Sequence, residues 1–117
     1  MQSKAVLRMA RISPQKVRLV ADMIRGKHAA EAEAMLKFTQ KKAAKLLLGL
    51  VESAIANAEY KSEKQDDHLD IDELIVKRIF VDQGPTLRRF RPRARGSANR
   101  ILKKTSHITI ILETPEK

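Results

Sequence analysis

The sequence predicts an α+β fold in which three helices pack on a small antiparallel three-stranded sheet and a long β-hairpin arm protrudes. Apolar residues at helical spacing fill the middle of the chain, and segments with the pattern of strands frame them. An arginine-rich segment, Gly84–Arg100, separates the last two of those strand segments. At 117 residues the chain is expected to form one domain, 1–117, with a modest core.

The first element is predicted to be a strand, Lys4–Arg11. Its loose alternation places Ala5, Leu7 and Met9 on one side. We expect this strand to lie beside the last two strands of the chain.

Two helices are predicted next. Ser13 is a good N-cap, Pro14 suits the first helical position and Gly26 provides the stop. The buried face of this helix is predicted to consist of Val17, Val20, Ala21 and Ile24. The second helix is predicted over Ala29–Lys37, with its inward residues being Ala32, Met35 and Leu36.

The third helix is the most regular and is predicted from about Lys41 to Tyr60, with Thr39 as its cap. Its apolar stripe comprises Ala44, Leu47, Leu48, Val51, Ile55 and Ala58. Three cations crowd its first turns, where they oppose the helix dipole, namely Lys41, Lys42 and Lys45. These lysines are either a solvated surface or, with the helix N–H groups, a phosphate contact.

The last two strands are predicted over Glu73–Asp82 and Ser106–Glu113, paired antiparallel. The interval from Asp82 to Thr105 is far longer than a hairpin loop of two to five residues. Both strands are therefore expected to continue outward as a ribbon that reaches about 40 Å.

This arm needs an outside partner. Between Gly84 and Lys104 it has eight Lys and Arg, no acid and few large apolar groups, so it cannot stabilise itself by burial. Guanidinium groups suit phosphate because they present a planar fork of donors. A flexible basic tail is the alternative, and the strands that flank the arm argue against it.

The charge distribution also favours a polyanion partner. The net charge is +10, and residues 1–28 carry seven Lys and Arg against one acid. Residues 29–76 carry six against ten, and residues 77–117 carry eleven against three. Nucleic acid, an anionic membrane and an acidic protein are the candidate partners. Because the chain has no cysteine and none of its uncharged runs, such as Leu46–Val51, approaches the length of a membrane span, we expect a soluble intracellular protein without disulfides.

No enzymatic motif is present. The three histidines, at positions 28, 68 and 107, have no spacing that predicts an acid–base pair or a metal site. The acidic segment Asp66–Glu73 lacks the glycine of an EF-hand loop, so it is interpreted as a solvated turn. We therefore expect no catalytic activity, no cofactor and no bound metal. A membrane role is not expected, because the basic segment lacks an amphipathic aromatic helix.

Four motifs, which succeed one another through essentially the whole chain, resemble the bacterial large-subunit ribosomal protein twenty-two family. They are ISPQKVRLVADMIRGK (Ile12–Lys27), SAIANAE (Ser53–Glu59), VDQGPTLRRFRPRARGSANRI (Val81–Ile101) and KKTSHITIILE (Lys103–Glu113). The resemblance implies a cytoplasmic ribosomal protein that binds large-subunit rRNA and aids subunit assembly. Its body would lie near the exit of the nascent-peptide tunnel, and its hairpin would line the tunnel wall beside the macrolide site.

By position, the resemblance implies a body of about residues 1–76 and 105–117 and a hairpin of about Lys77–Lys104, with a tip near Leu87–Ala98. The rRNA-binding residues are expected to be Lys16, Arg18, Lys41, Lys42, Lys45, Arg88, Arg89, Arg91, Arg93, Arg95, Arg100, Lys103 and Lys104. The part of the tip that lines the tunnel is expected to be Leu87, Arg88, Arg89, Phe90 and Arg91. The implied partners are rRNA, neighbouring large-subunit proteins and the nascent polypeptide, and no homo-oligomer is expected. A soluble DNA- or RNA-binding chaperone is the alternative, since β-ribbon arms also bind DNA.

Overall fold

The computed structural model describes residues 2–65, 71–92 and 98–114. The elements are, in order, β1 (Gln2–Ala10), α1 (Pro14–Ile24), α2 (Ala29–Phe38), α3 (Lys42–Gln65), a 3-10 turn (Ile71–Glu73), β2 (Ile75–Gln83), β3 (Leu87–Pro92), β4 (Ala98–Lys103) and β5 (Ser106–Glu113). Three helices and a three-stranded antiparallel sheet confirm the predicted α+β class.

Strand β5 is the centre of the sheet, whose order is β1-β5-β2. Both neighbours pair with it antiparallel, as predicted. Ile108, Ile110 and Leu112 are fully buried on one face, where they join the core formed with the helices. A strand this apolar gains most from the central position, because burial there removes the largest apolar area from water.

The predicted start and stop of α1 are confirmed in position. Pro14 is the first helical residue, and the carbonyl of Ser13 accepts hydrogen bonds from the N–H groups of Lys16 and Val17. The Ser13 hydroxyl itself makes no capping hydrogen bond. Gly26 has a φ of 81°, which is the left-handed conformation that glycine adopts without strain.

The stripe on α3 forms the middle of the core, with Ala44, Leu47, Val51 and Ala58 fully buried. Leu48 and Ile55 are only partly buried. The predicted cap is wrong, because α3 begins at Lys42 and the carbonyl of Lys41 accepts its first hydrogen bonds. Thr39 instead closes α2, where its hydroxyl donates to the Met35 carbonyl at 2.8 Å.

The prediction for Met9 is also wrong. The pairing of β1 with β5 shifts between Leu7 and Ala10, so an extra residue interrupts the alternation. Met9 adopts a φ of 58° and is 46% exposed, while Ala10 takes the inward position. The bulge therefore moves the buried side of the strand by one residue.

Helix α3 covers backbone carbonyls of the outer strand β1. The amide Nδ2 of Asn57 donates to the Lys4 carbonyl at 3.1 Å. One helical turn later, the Lys61 ammonium donates to the Gln2 carbonyl at 2.9 Å. Four residues of helix and two residues of strand have nearly the same length, which explains why the contact recurs one helical turn later.

Helix α1 does the same for the other outer strand, β2. The Nη2 atom of Arg18 donates to the Val81 carbonyl at 2.8 Å. The Nη2 atom of Arg25 donates to the Ile79 carbonyl, also at 2.8 Å. Such contacts protect a sheet edge from pairing with another chain.

The arm is a separate two-stranded ribbon of β3 and β4, with a register from Leu87↔Lys103 to Pro92↔Ala98. Residues Arg78 to Gln83, expected within the hairpin, pair with β5 in the body's sheet, so the ribbon starts beyond Gly84. The molecule measures 67 × 27 × 18 Å, and its radius of gyration of 17.7 Å exceeds the roughly 13 Å of a compact chain of this length.

Candidate nucleic-acid interface

The root of the arm is fixed by buried polar contacts. The N–H of Gly84 donates to the Thr105 carbonyl at 2.9 Å, and the Thr105 hydroxyl donates to the Pro85 carbonyl at 2.6 Å. Next to them, the Ser106 hydroxyl donates to the Ile12 carbonyl at 2.7 Å. Thr105 and Ser106 are at most 1% exposed, so the ribbon leaves the body from a fixed base.

The pairing of the two strands is interrupted where they leave the sheet. Gln83 pairs with Ser106 in the body, and the next pair, in the ribbon, is Leu87 with Lys103. The three residues 84–86 therefore stand opposite only two residues, 104 and 105. One side of the junction thus has one extra residue, as in a β-bulge. Bulges re-aim a strand, so this junction sets the direction of the arm.

Most of the predicted rRNA-binding residues of the arm lie on its two paired strands. The backbone of β3 carries Leu87, Arg88, Arg89, Phe90 and Arg91, and that of β4 carries Arg100 and Lys103. In the register, Arg89 is paired with Ile101 and Phe90 with Arg100. Arg93 and Arg95 lie outside the described residues. Lys104 comes directly after β4 and is exposed.

Three of the predicted lysines in the body are brought together. Lys16 of α1 lines a shallow groove with Lys41 and Lys42 at the start of α3, over an apolar floor of Ile12, Leu19 and Ala43. The ammonium of Lys42 donates to the Arg11 carbonyl at 3.1 Å, which holds its side chain at the rim. The first turn of α3 has no acidic residue, so nothing there offsets the positive end of the helix.

The remaining two predicted body residues lie elsewhere. Lys45 borders a different groove, between β1 and α3, that also includes Val6 and Leu46. Arg18 lies against β2, and one of its nitrogens is used by the Val81 carbonyl. A guanidinium has five N–H donors, so Arg18 keeps others for an external acceptor.

The sequence reasoning missed a further basic surface. On the sheet face opposite the helices, four cations are exposed: Lys4, Arg8, Lys77 and Arg78. The alternation of charged and apolar residues in β1 was a usable signal. In β2, however, a register shift between Val76 and Arg78 breaks that alternation, and a bulge cannot be seen in the periodicity.

The described residues contain no group of three or more His, Asp or Glu that could hold a metal ion. Residues 66–70 of the acidic segment, including His68, lie outside the described residues, and its end forms the 3-10 turn. Within residues 2–65, 71–92 and 98–114, no helix is long and apolar enough to cross a membrane.

A compact α+β body with a rooted basic arm defines a class of protein that binds polyanions through a projecting ribbon. The family model for ribosomal protein L22p/L17e matches residues 5–113, and the chain belongs to this family. It is therefore a structural protein of the large ribosomal subunit that binds rRNA and neighbouring ribosomal proteins. As a ribosomal component it is cytoplasmic, and its family is structural rather than enzymatic.

Proposed function

We propose that the arm lines the wall of the polypeptide exit tunnel, with the body near the tunnel exit, and that the chain helps to assemble the large subunit. The observation that carries this proposal is the rooted ribbon, which extends the molecule to 67 Å. Phosphates would neutralise a ribbon of this composition, and each contact would release a counterion. A two-stranded ribbon suits a narrow passage between rRNA segments. The chain's four motifs resemble the tunnel-lining family, and one of them, Val81–Ile101, covers most of the arm.

The arm's arginines are proposed to contact rRNA phosphates, namely Arg88, Arg89, Arg91, Arg93, Arg95 and Arg100, with Lys103 and Lys104 at the base. The tip residues Leu87, Arg88, Arg89, Phe90 and Arg91 are proposed to shape the tunnel beside the nascent polypeptide. Guanidinium groups hold phosphate with two parallel hydrogen bonds. They would therefore orient the ribbon on the rRNA and also raise its affinity for rRNA.

The lysine groove is proposed as a second rRNA contact. Lys16, Lys41 and Lys42 surround the start of α3, where unpaired helix N–H groups also favour an anion. A phosphate seated there would offset the repulsion between the lysines and the helix dipole. Arg18 and Lys45 lie on neighbouring surfaces of α1 and α3 and would extend the contact.

Residues 1–117 are proposed to act as one domain that does not form a homo-oligomer, with β2 completing the sheet of the body and the arm beginning beyond Gly84. Contacts from helix side chains cover carbonyls on both outer strands, which disfavours pairing between copies.

The test is a ribosome that carries a deletion of Leu87–Arg89. Because side chains alternate along a strand, removing three residues reverses the facing of the next residues in β3. We expect subunits to assemble, while the response to macrolides and to tunnel-sensing peptides changes. Failure of assembly would make the tip structural, and normal assembly, drug response and stalling would refute the tunnel role.

The matched control removes Leu87–Arg89 together with their partners Ile101–Lys103. This deletion shortens both strands equally and keeps the register. It should retract the tip by about 10 Å without reversing its facing, given roughly 3.3 Å per residue. A difference between the two variants would distinguish the effect of the direction in which the tip side chains face from the effect of the length of the arm.

A further inference from the structure

The sheet has one covered and one open face. Helices pack on the face that carries Ile108, Ile110 and Leu112. On the opposite face, which we call the open face, Val6, Thr109 and Phe80 form one row across the three strands. Val6 is 42% and Phe80 is 43% exposed. Thr109 between them is 7% exposed, so two half-exposed apolar side chains flank a buried threonine on this face and offer a contact for a partner.

Cations border this row on both sides. Lys4 and Arg78 are the register partners of Ile111, which occupies the next position on the open face. The register shift in β2 places Lys77 next to Arg78, so two cations stand where a regular strand would have one. The bulge in β1 likewise brings Arg8 to the level of His107.

These cations are not neutralised within the described residues. Among the described residues, salt bridges join Arg25 to Asp22 and Lys37 to Glu33, and Lys4, Arg8, Lys77 and Arg78 take part in neither. Glu113 and Asp82 stand at the ends of the face, so positive charge predominates between them. The face is thus suited to an anionic partner.

The open face continues around the edge strand β1. A groove runs from Lys4 and Ile111 to Tyr60 and Lys64 on α3. Tyr60 is 61% exposed, and the Lys64 ammonium lies 5.3 Å from the centre of its ring. The surface therefore has an exposed aromatic ring near each end, and between the rings lie cations outside the salt bridges seen in residues 2–65, 71–92 and 98–114.

We propose that the open face and this groove bind single-stranded RNA, with unpaired bases on Phe80 and Tyr60 and phosphates on Lys4, Arg78 and Lys64. Exposed aromatic rings alternating with cations are the features that bind unstacked bases and the backbone between them. An acidic protein would match the charge but would not require flat aromatic rings. This proposal rests on the chain being an rRNA-binding protein and adds a contact separate from the arm and the lysine groove.

The test uses the full chain with Arg88, Arg89 and Arg91 replaced by Ala, so that the arm contributes less to binding. The probe is a uridine octanucleotide, whose affinity is measured at several salt concentrations. Phe80→Leu should weaken binding about five-fold or more, as expected for the loss of one base–aromatic stack. Arg78→Gln should lower the salt slope by about 0.7, the value for one phosphate of a single strand.

The matched control is Phe38→Leu, because Phe38 is 87% exposed but lies on α2, outside this surface. It should leave the affinity unchanged. Equal losses from Phe38→Leu and Phe80→Leu, or no loss from Phe80→Leu and Arg78→Gln, would overturn the proposal. Melting temperatures verify that each variant is folded.

A photoreactive phenylalanine analogue at position 80 of the intact chain identifies the occupant in assembled large subunits. A cross-link to rRNA is expected. A cross-link to a ribosomal protein, or none, would overturn the RNA assignment and leave the proposed role of the arm untouched. A chain that never enters large subunits would instead contradict the proposed function.

Discussion

At the scale of single residues, the sharpest constraint is at Gly84. A Cβ atom added there would stand 2.5 Å from the Thr105 hydroxyl oxygen and 3.2 Å from the His107 ring. That hydroxyl already donates to the Pro85 carbonyl, so it cannot move without losing a partly buried hydrogen bond. The residue is glycine because the two strands approach this closely at the root of the arm.

Replacement of Gly84 by Ala should therefore destabilise the protein by about 1–3 kcal/mol, the usual cost of overpacking. It should also weaken rRNA binding, since the arm would leave the body in another direction. Denaturant unfolding and RNA affinity measure the two effects.

Gly49→Ala is the matched control. Gly49 lies inside α3, and an added Cβ would meet nothing within 4 Å. Alanine should stabilise that helix by about 0.5–1 kcal/mol. If both replacements shift stability in the same direction, the packing account of Gly84 is wrong.

At the scale of elements, periodicity was a sufficient guide to the three helices and to β5. Periodicity failed at the ends of elements and at a bulge, where the outcome depends on which group a side chain contacts. Thr39 suits the start of a helix and the end of one equally well, and the hydrogen bond to the Met35 carbonyl decides between them. Met9 fits the apolar alternation, but a bulge exposes it.

The candidate site, too, could be predicted from the sequence only in part. The arm can be predicted from composition and spacing, because a long acid-free segment between two strands has few other solutions. The grouping of Lys16 with Lys41 and Lys42 required the packing of α1 against α3, which no local pattern contains. The open face was missed although Lys4 and Arg8 follow the alternation of β1, because the bulge in β2 hides Lys77 and Arg78 from a period of two.

Two cations on α1 are expected to have different roles, one in folding and one in RNA binding. Arg18→Ala removes the donor to the Val81 carbonyl and should cost about 1 kcal/mol of folding free energy. Lys16→Ala, in the exposed groove, should change stability by less than about 0.5 kcal/mol but weaken RNA binding. Thermal unfolding and filter binding measure both variants. The reverse pattern would contradict this assignment of α1.

At the scale of the whole molecule, folding and RNA binding are carried by different parts of the chain. The buried core includes residues of α1–α3, β1, β2 and β5, whereas the highest density of positive charge lies in the arm. The arm is joined to the body through a fixed root. A protein arranged in this way can lose arm charges without losing its fold.

The most direct test replaces Arg88, Arg89 and Arg91 by Ala and measures the affinity for folded large-subunit rRNA against salt concentration, with the melting temperature of each protein. The matched control replaces Arg11, Lys27 and Lys37, which removes the same charge from the body. The arm variant should lose roughly two units of salt slope, given 0.7–0.9 per phosphate contact, at an unchanged melting temperature. The control should keep most of its slope. Equal losses of slope in both variants, or a fall in the melting temperature of the arm variant alone, would contradict the account.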